Sequence, residues 1–209
     1  MFNFLNSLNG LKKNVYNIFG RTKKQKIMKI LVTGGLGFIG SHTVVELQNE
    51  GFEVVVIDNL SNSSEDVLKG IEAITGKKPL FEKLDLREKA SVQDFFKRHA
   101  DVNGVIHFAA SKAVGESVEN PLLYYENNIN SLVYLLQELQ KKPEAHFIFS
   151  SSCTVYGQAE KMPITEDAPI QVAMSPYGNT KQIGEEIITD VAKVSGINAI
   201  LLRYFNPIG

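Results

Sequence analysis

The hydrophobic positions of this chain fall into six short runs that alternate with longer amphipathic stretches. The runs, rich in β-branched and aromatic residues, are MKILVT, FEVVVID, PLFEKLDL, GVIHFAA, HFIFSSS and INAILLRYF. The stretches between them are predicted as helices at 38–50, 64–74, 89–98, 121–140 and about 176–194. Short apolar runs separated by helices of ten or more residues are typical of a parallel sheet with helices on both faces. The pattern therefore predicts an α/β fold, a doubly wound parallel sheet, over residues 28–209.

Residues 1–27 differ from the rest of the chain in charge. They contain six of the 22 basic residues and no acidic one, which leaves 16 basic residues against all 23 acidic residues over 28–209. An acidic body disfavours nucleic-acid binding, because Lys and Arg supply most of that affinity. We interpret 1–27 as a basic N-terminal extension. Its role stays open between a disordered tail, sequence upstream of a start at Met28, and a membrane-surface or targeting segment.

Composition narrows the class of protein further. The chain is 44% hydrophobic and 22% charged, which is typical of globular proteins. Its single cysteine, Cys153, excludes an internal disulfide framework and suits a reducing compartment, so we expect a cytoplasmic protein. No apolar run approaches the roughly 20 residues that a bilayer span needs, so we expect no integral membrane span.

A glycine-rich turn joins the first apolar run to the first predicted helix. VTGGLGFIGS has glycines at the dinucleotide-binding spacing, at positions Gly34, Gly35, Gly37 and Gly40. Such a turn lets a phosphate approach bare backbone at a helix N-terminus. Asp58, 18 positions past Gly40, can accept hydrogen bonds from an adenosine ribose and would repel a 2′-phosphate. No arginine follows it in 59–62, so we predict a Rossmann-like site for NAD rather than NADP.

The stretch SPYGNTK at the start of the last predicted helix carries Tyr177 and Lys181. Residues four apart share a helix face, so the ammonium should lie near the phenol and favour the phenolate. Ser152 ends the fifth run at the same sheet edge and can donate a hydroxyl. Beside a cationic nicotinamide, these three residues predict an alcohol-oxidising site with a lowered Tyr177 pKa. His107 is interpreted as a packed strand residue, and no metal is expected.

Six blocks, in this order, closely resemble the UDP-glucose 4-epimerase family of extended short-chain dehydrogenases/reductases: TGGLGFIGSH, DNLSNSS, HFAASKAVGES, SSSCTVYG, SPYGNTK and LLRYFNPIG. The resemblance covers essentially all of 28–209. It implies NAD-dependent epimerisation of a UDP-hexose at C4 through a transient 4-keto sugar, the UDP-glucose/UDP-galactose interconversion of galactose metabolism. Tyr177 would remove the proton of the sugar 4-hydroxyl, with Lys181 and Ser152 as catalytic partners.

The resemblance also implies ligand contacts, residue by residue. The NAD contacts would come from Gly34, Gly37, Phe38, Ile39, Gly40, Asp58, Asn59, Leu60, Ser61, Asn62, Ser63, Asp85, Leu86, Phe108, Ala109, Ala110, Ser111, Lys112, Asn127, Ser152, Tyr177, Lys181 and Phe205. Contacts with a UDP-sugar substrate would come from Ser152, Tyr177 and Asn206.

Three alternatives remain beside this hypothesis. A 4,6-dehydratase is disfavoured, because Cys153 and Thr154 stand where its acid/base pair is expected. An epimerase or dehydratase for another nucleotide sugar, N-acetylated or uronic, stays open. A non-catalytic NAD-binding fragment is the third, since the chain stops at Gly209, where the resemblance would continue with most of a substrate domain. We expect little or no epimerase activity from the isolated chain. The helices at 121–140 and 176–194 could pair two subunits into a homodimer.

Overall fold

The computed structural model describes residues 28–142, 144–159 and 161–206. Strands and helices alternate along these ranges, except that two helices follow the fourth strand in succession. The strands are β1 (Lys29–Thr33), β2 (Glu53–Asp58), β3 (Leu80–Lys83), β4 (Val102–His107), β5 (His146–Ser152) and β6 (Asn198–Tyr204). The α-helices are α1 (Phe38–Asn49), α2 (Asp66–Thr75), α3 (Lys89–Arg98), α4 (Val114–Glu119), α5 (Pro121–Leu139) and α6 (Pro176–Ser195). A 3₁₀ helix at Cys153–Tyr156 follows β5.

The six strands form one parallel sheet in the order β3-β2-β1-β4-β5-β6. The chain starts at β1 in the middle, runs outward to β3, and then returns to the other side of β1. The strand order therefore reverses between β1 and β4, where Thr33 pairs with His107. Ligands of open α/β sheets bind outside the carboxyl ends of the strands at such a reversal. The predicted fold class is confirmed.

Hydrophobic side chains cover both faces of the sheet. Leu31 of β1 packs into the cluster that contains Phe95 of α3, and its neighbours Ile30 and Val32 pack into the cluster that contains Val44 of α1. Successive strand side chains point to opposite faces, so a strand buried on both sides is apolar at nearly every position. This explains why the sequence showed continuous apolar runs rather than alternating ones.

The structure departs from the predicted elements at short segments. The strand β3 ends at Lys83, before the Asp85–Leu86 end of the third run. The six-residue α4 and the 3₁₀ helix were not predicted, because so few residues give no detectable periodicity. The prediction for residues 1–27 lies outside the described residues. Within the described ranges, no helix combines the length and the hydrophobicity that a membrane crossing requires.

Candidate active site

The glycine turn leaves no room for side chains where β1 passes into α1. Gly34 has φ +65°, and a Cβ there would lie 2.8 Å from the backbone nitrogen of Ala109, just past β4. A Cβ at Gly40 would collide with the Gly34 carbonyl oxygen. The α1 N-cap is Gly37, which offers no side-chain cap to the first N–H groups of the helix. Uncapped N–H groups and a close, bare backbone fit the pyrophosphate of a dinucleotide.

The Asp58 carboxylate has a structural role that the sequence did not reveal. It accepts hydrogen bonds from the backbone N–H of Leu36 (3.1 Å), from the backbone N–H of Leu60 (3.0 Å) and from Ser63 Oγ (2.8 Å). Leu60 adopts φ +62°, which the bond to Asp58 helps to hold. A carboxylate has about four acceptor positions, so about one stays available for a ribose hydroxyl. The carboxylate thus ties the glycine turn to the loop that follows β2.

Asp85, predicted to line the NAD site, is held by an arginine that sequence reasoning missed. Arg87 donates from Nη2 to Asp85 Oδ2 at 2.7 Å and from Nε to Oδ1 at 3.1 Å. The Arg87 guanidinium lowers the pKa of this carboxyl, and Asn59 Nδ2 approaches it at 3.5 Å. A charged residue directly after the predicted strand end was the available signal. Asp85 and Asn59 therefore lie together at the ends of β3 and β2, and their contacts with NAD stay predictions.

The segment after β4 is joined to the two long helices by Asn128. Its amide accepts from the Ser111 N–H (2.8 Å), donates to the Ser111 carbonyl (3.0 Å) and donates to Thr180 Oγ1 (3.1 Å). Asn127, which was predicted as a contact, donates to Ser111 Oγ at 2.9 Å. Asn128 was missed, because its burial and its partners, 17 and 52 positions away in the sequence, are set by the packing of the helices. It connects the predicted cofactor loop to the helix of Tyr177.

The structure brings Tyr177, Lys181 and Ser152 together at the end of β5. Ser175 caps α6 by accepting the Gly178 N–H at 3.1 Å, and Pro176 occupies the first turn. The Ser152 side chain lies near enough to the Tyr177 phenol to lower the pKa of the phenol. Lys181 Nζ lies 5.8 Å from the centroid of the Tyr177 ring. The spacing along α6 thus places Tyr177 and Lys181 on one helix face, and β5 ends at Ser152 beside them.

The protonation behaviour of Tyr177 differs from the prediction. Burial raises the pKa of its phenol, and the Ser152 side chain lowers it only in part. Lys181 Nζ lies over the ring and donates to the Ser150 carbonyl at 2.7 Å, so it is not directed at the phenol oxygen. Burial also lowers the pKa of Lys181 to about 8. For the chain's own groups the predicted lowering of the Tyr177 pKa is therefore wrong, because burial raises the pKa of this phenol.

His107 is buried beneath this site. Its Nδ1 lies 2.7 Å from Thr33 Oγ1, and its ring stacks on Phe149 with centroids 6.0 Å apart. Burial, assisted by the nearby Lys181 charge, lowers the pKa of His107 to about 3. The imidazole is neutral at ordinary pH, in agreement with a packing role.

Other predicted contact residues present exposed side chains at the same sheet edge. Phe38, at the start of α1, is 54% exposed, and Phe205, just past β6, is 51% exposed. Lys112 and Asn206 are also exposed. The contacts assigned to these four residues stay predictions. Among the residues that the structure describes, no group of three or more His, Cys, Asp and Glu side chains is arranged to hold a metal.

Comparison with known proteins adds an independent result. The model of the NAD dependent epimerase/dehydratase family matches residues 30–209. The chain belongs to this family. It is 50% identical over 183 residues to the UDP-glucose 4-epimerase of Haemophilus influenzae, which covers 87% of this chain and 54% of the relative. The epimerase/dehydratase chain thus spans about half the length of the curated relatives it matches, and the resemblance found in the sequence is confirmed.

Solved structures of family members have the same fold. The UDP-glucose 4-epimerase from Bifidobacterium longum, in complex with NAD+ and UDP, superposes with a TM-score of 0.82 at 44% identity, covering 86% of this chain and 53% of that one. The enzyme from Stenotrophomonas maltophila, with bound NAD and formylated UDP-arabinopyranose, gives 0.80 at 42% identity over the same shares.

The burial of Lys181 predicts how the stability of the epimerase/dehydratase chain varies with pH. Its pKa is about 8 in the folded chain against 10.5 as the ordinary value, so the unfolded chain binds more protons between these values. Stability should therefore rise with pH above 8, by up to about 1.4 kcal/mol per pH unit. Below pH 8 the full cost of burying the ammonium is present. Lys181→Met should be more stable than the wild type at pH 7 and should lose this rise.

The measurement is urea-induced unfolding of both proteins at half-unit steps from pH 7 to 10. Lys193→Met, an exposed lysine on the same helix, is the matched control and should follow the wild-type pH dependence. Parallel curves for the wild type and Lys181→Met would contradict the inferred burial of a charged Lys181.

Proposed function

We propose that residues 28–209 form the NAD-binding Rossmann domain of an enzyme that epimerises a UDP-hexose at C4, preceded by the basic extension 1–27. The observation that carries the proposal is the meeting of Tyr177, Lys181 and Ser152 at the carboxyl edge of the sheet. The same edge holds the glycine turn between β1 and α1. A phenol, a buried ammonium and a serine beside a dinucleotide turn are the groups that alcohol oxidation requires.

The chain's own groups fit NAD. The turn at Gly34–Gly40 would receive the pyrophosphate, Asp58 a ribose hydroxyl, and the segment 108–112 after β4 the nicotinamide half. Asn59, Asp85 and Asn127 are supported as contacts by their places in the hydrogen-bonded loops around this cleft. When bound, NAD supplies a reversible hydride acceptor, so that the overall reaction involves no net redox change.

Tyr177 of α6 and Ser152 of β5 would take part in the proton transfer. The Tyr177 phenolate oxygen takes the proton of the sugar 4-hydroxyl, and Ser152 Oγ–H donates a hydrogen bond to the same sugar oxygen. After the transient 4-keto sugar has turned in the site, Tyr177 returns the proton to that oxygen, so the phenolate is regenerated. Lys181 holds α6 to the Ser150 carbonyl of β5, and the positive charge of a bound nicotinamide ring would lower the pKa of the Tyr177 phenol and favour the phenolate.

A UDP-sugar is the substrate class that the relatives support. The Bifidobacterium longum structure contains UDP, and the Stenotrophomonas maltophila structure contains a UDP-arabinopyranose derivative. By this analogy UDP-glucose and UDP-galactose are the proposed pair, with Asn206 contacting the sugar nucleotide. We place the reaction in galactose metabolism in the cytoplasm. A homodimer through α5 and α6 is part of the proposal, since Leu122 and Val194 on these helices are 80% and 85% exposed.

The direct test uses the polypeptide as its gene encodes it, with any residues that follow Gly209. The purified protein is denatured, the released nucleotide is identified by mass, and undenatured protein is incubated with UDP-galactose. We expect about one NAD per chain and formation of UDP-glucose. Retained NAD without turnover would favour the non-catalytic fragment, and release of no dinucleotide would overturn the proposal.

Asp58→Ala tests the choice of cofactor. The variant should bind NAD more weakly, because both the ribose acceptor and the support of the Leu36 and Leu60 N–H groups are lost. Discrimination against NADP should also decrease, since the carboxylate no longer repels a 2′-phosphate. The measurement is the ratio of the NAD and NADP dissociation constants. A general loss of folded protein would weaken the binding of both cofactors equally and would therefore leave this ratio unchanged. Asp94→Ala, an exposed aspartate on α3, should leave the ratio unchanged. An unchanged ratio in Asp58→Ala would remove Asp58 from this role.

A further inference from the structure

One face of α6 contacts three consecutive residues at the end of β5. Tyr177, Lys181 and Glu185 are spaced four apart and therefore share a helix face. Each meets one of the serines at 150–152. Lys181 Nζ donates to the Ser150 carbonyl oxygen at 2.7 Å, and the Ser151 hydroxyl donates to Glu185 Oε1. The Ser152 side chain lies near enough to the Tyr177 phenol to lower its pKa. Of the three helix residues, Glu185 has no part in the proton transfer proposed above.

Glu185 is buried and paired with an arginine of the next strand. Glu185 is only 5% exposed to solvent. Arg203 donates from Nη2 to Glu185 Oε2 at 2.7 Å and from Nε to Oε1 at 3.0 Å. Arg203 stands opposite Ser151 in the register of β5 and β6. Because a two-point pair between planar groups fixes orientation as well as distance, the carboxylate links α6 to both strands in one geometry.

The Arg203 guanidinium also makes contacts outside its pair with Glu185. Arg203 Nη1 donates to the Tyr156 hydroxyl at 3.0 Å and to the Glu166 carbonyl at 3.3 Å, and the group lies 4.9 Å over the Tyr156 ring. Tyr156 belongs to the 3₁₀ helix directly after Ser152. The cluster of Glu185, Arg203 and Tyr156 therefore joins the helix of Tyr177 to the segment that carries Ser152.

The helix and strand are also in direct van der Waals contact at this level. A Cβ at Gly184 would lie 2.9 Å from Phe149 Cζ, so the α6 backbone packs directly on that ring. The same ring lies 4.8 Å from Lys181 Nζ. A small displacement of α6 along β5 would therefore change the surroundings of the ammonium at once.

We infer that the Glu185–Arg203 pair is a positioning pair, which holds α6 in register with the end of β5 so that Lys181 stays on the Ser150 carbonyl and Tyr177 stays beside Ser152. The inference deepens the proposed function, because it relies on the roles given there to Tyr177 and Lys181. A buried ion pair need not add stability, since apolar residues of similar volume often serve as well. What such a pair supplies here is a single orientation of three elements.

The test follows the titration of Lys181 in the purified chain without cofactor or substrate. Carbon-13-labelled lysine is observed by NMR from pH 6 to 11, and the Lys181 signal is identified by its loss in Lys181→Met. In the wild type we expect a midpoint near the pKa of about 8 that burial produces. In Glu185→Gln the loosened register should admit water to the ammonium, and the midpoint should rise by about one unit, a tenfold change in the acid constant.

Two further variants make the result specific. Ser151→Ala removes the link between Glu185 and β5 while the ion pair stays, and should raise the midpoint in the same direction by a smaller amount. Glu186→Gln makes the same chemical change at the next, exposed position of α6 and should leave the titration unchanged.

The sign of the shift separates positioning from simple electrostatics. Loss of an anion by itself would lower the Lys181 midpoint, since a nearby negative charge favours the ammonium. A lowered or unchanged midpoint in Glu185→Gln, with the fold intact by circular dichroism, would overturn the inference. If Glu185→Gln does not fold, an unchanged midpoint in Ser151→Ala overturns it. Because no NAD or substrate is present, this failure is distinguishable from failure of the proposed function.

Discussion

Tyr177→Phe is expected to lower epimerase turnover by about 10²- to 10⁴-fold, the usual contribution of a positioned acid or base. The phenol oxygen is the one group of α6 that the proposed mechanism uses to take and return the sugar proton. Phe keeps the ring under the Lys181 ammonium and loses only the hydroxyl near Ser152. Retention of NAD should therefore be unchanged.

The measurement is conversion of UDP-galactose by the polypeptide as its gene encodes it, together with the amount of NAD released on denaturation. Tyr134→Phe, on α5, is the matched control and should keep both activity and cofactor. Turnover of Tyr177→Phe close to that of the control would remove Tyr177 from its role. Loss of NAD along with activity would indicate a structural role instead.

Gly40→Ala is the second change with a large expected effect. The new Cβ would collide with the Gly34 carbonyl oxygen and would lie 2.8 Å from Gly35 Cα. These are backbone atoms, so the whole turn must move away from α1. Overpacking of this kind costs about 1–3 kcal/mol, which corresponds to about fivefold to 150-fold weaker NAD binding if the strain is relieved at the turn.

The control for this change is Gly70→Ala on α2. A Cβ at Gly70 would meet no atom within 4 Å. Ala in a helix interior is favoured over Gly by about 0.5–1 kcal/mol, so Gly70→Ala should stabilise the chain and leave NAD binding as it was. The measurement is calorimetric titration of both variants and the wild type with NAD, which gives the three dissociation constants. Equal affinities for Gly40→Ala and the wild type would show that the turn does not hold the pyrophosphate.

The parts of the fold that local patterns determine were predictable. Continuous apolar runs predicted the parallel sheet, and the helix from 89 to 98 was predicted with its observed bounds. The glycine spacing predicted a turn without side chains between β1 and α1, and the spacing of Tyr177 and Lys181 predicted their common face. Each of these follows from residues close together in the chain, whose relation is set by the period of a helix or a strand.

The features that remained hidden depend on residues far apart in sequence. Asn128 and Ser111 are 17 positions apart, and Arg203 reaches Tyr156 across 47. No periodicity carries information about such pairs, because the packing of helices on the sheet brings them together. The hydrogen bonds of Asp58 were hidden from the sequence in the same way. Its place at the end of β2 was predictable, whereas its bonds to the glycine turn and to its own loop were not.

The sequence by itself determined which elements form, which strand ends carry polar groups, and that a phenol and an amine share one helix face. Only the tertiary structure decided the direction in which the pKa values of those groups shift. Burial lowers the pKa of Lys181 and raises that of Tyr177, opposite to the direction that proximity alone predicted for the phenol. The physical reason is that a pKa reports how much water surrounds a group as well as which charges are near it. The amount of water is set by how α6 packs on β5.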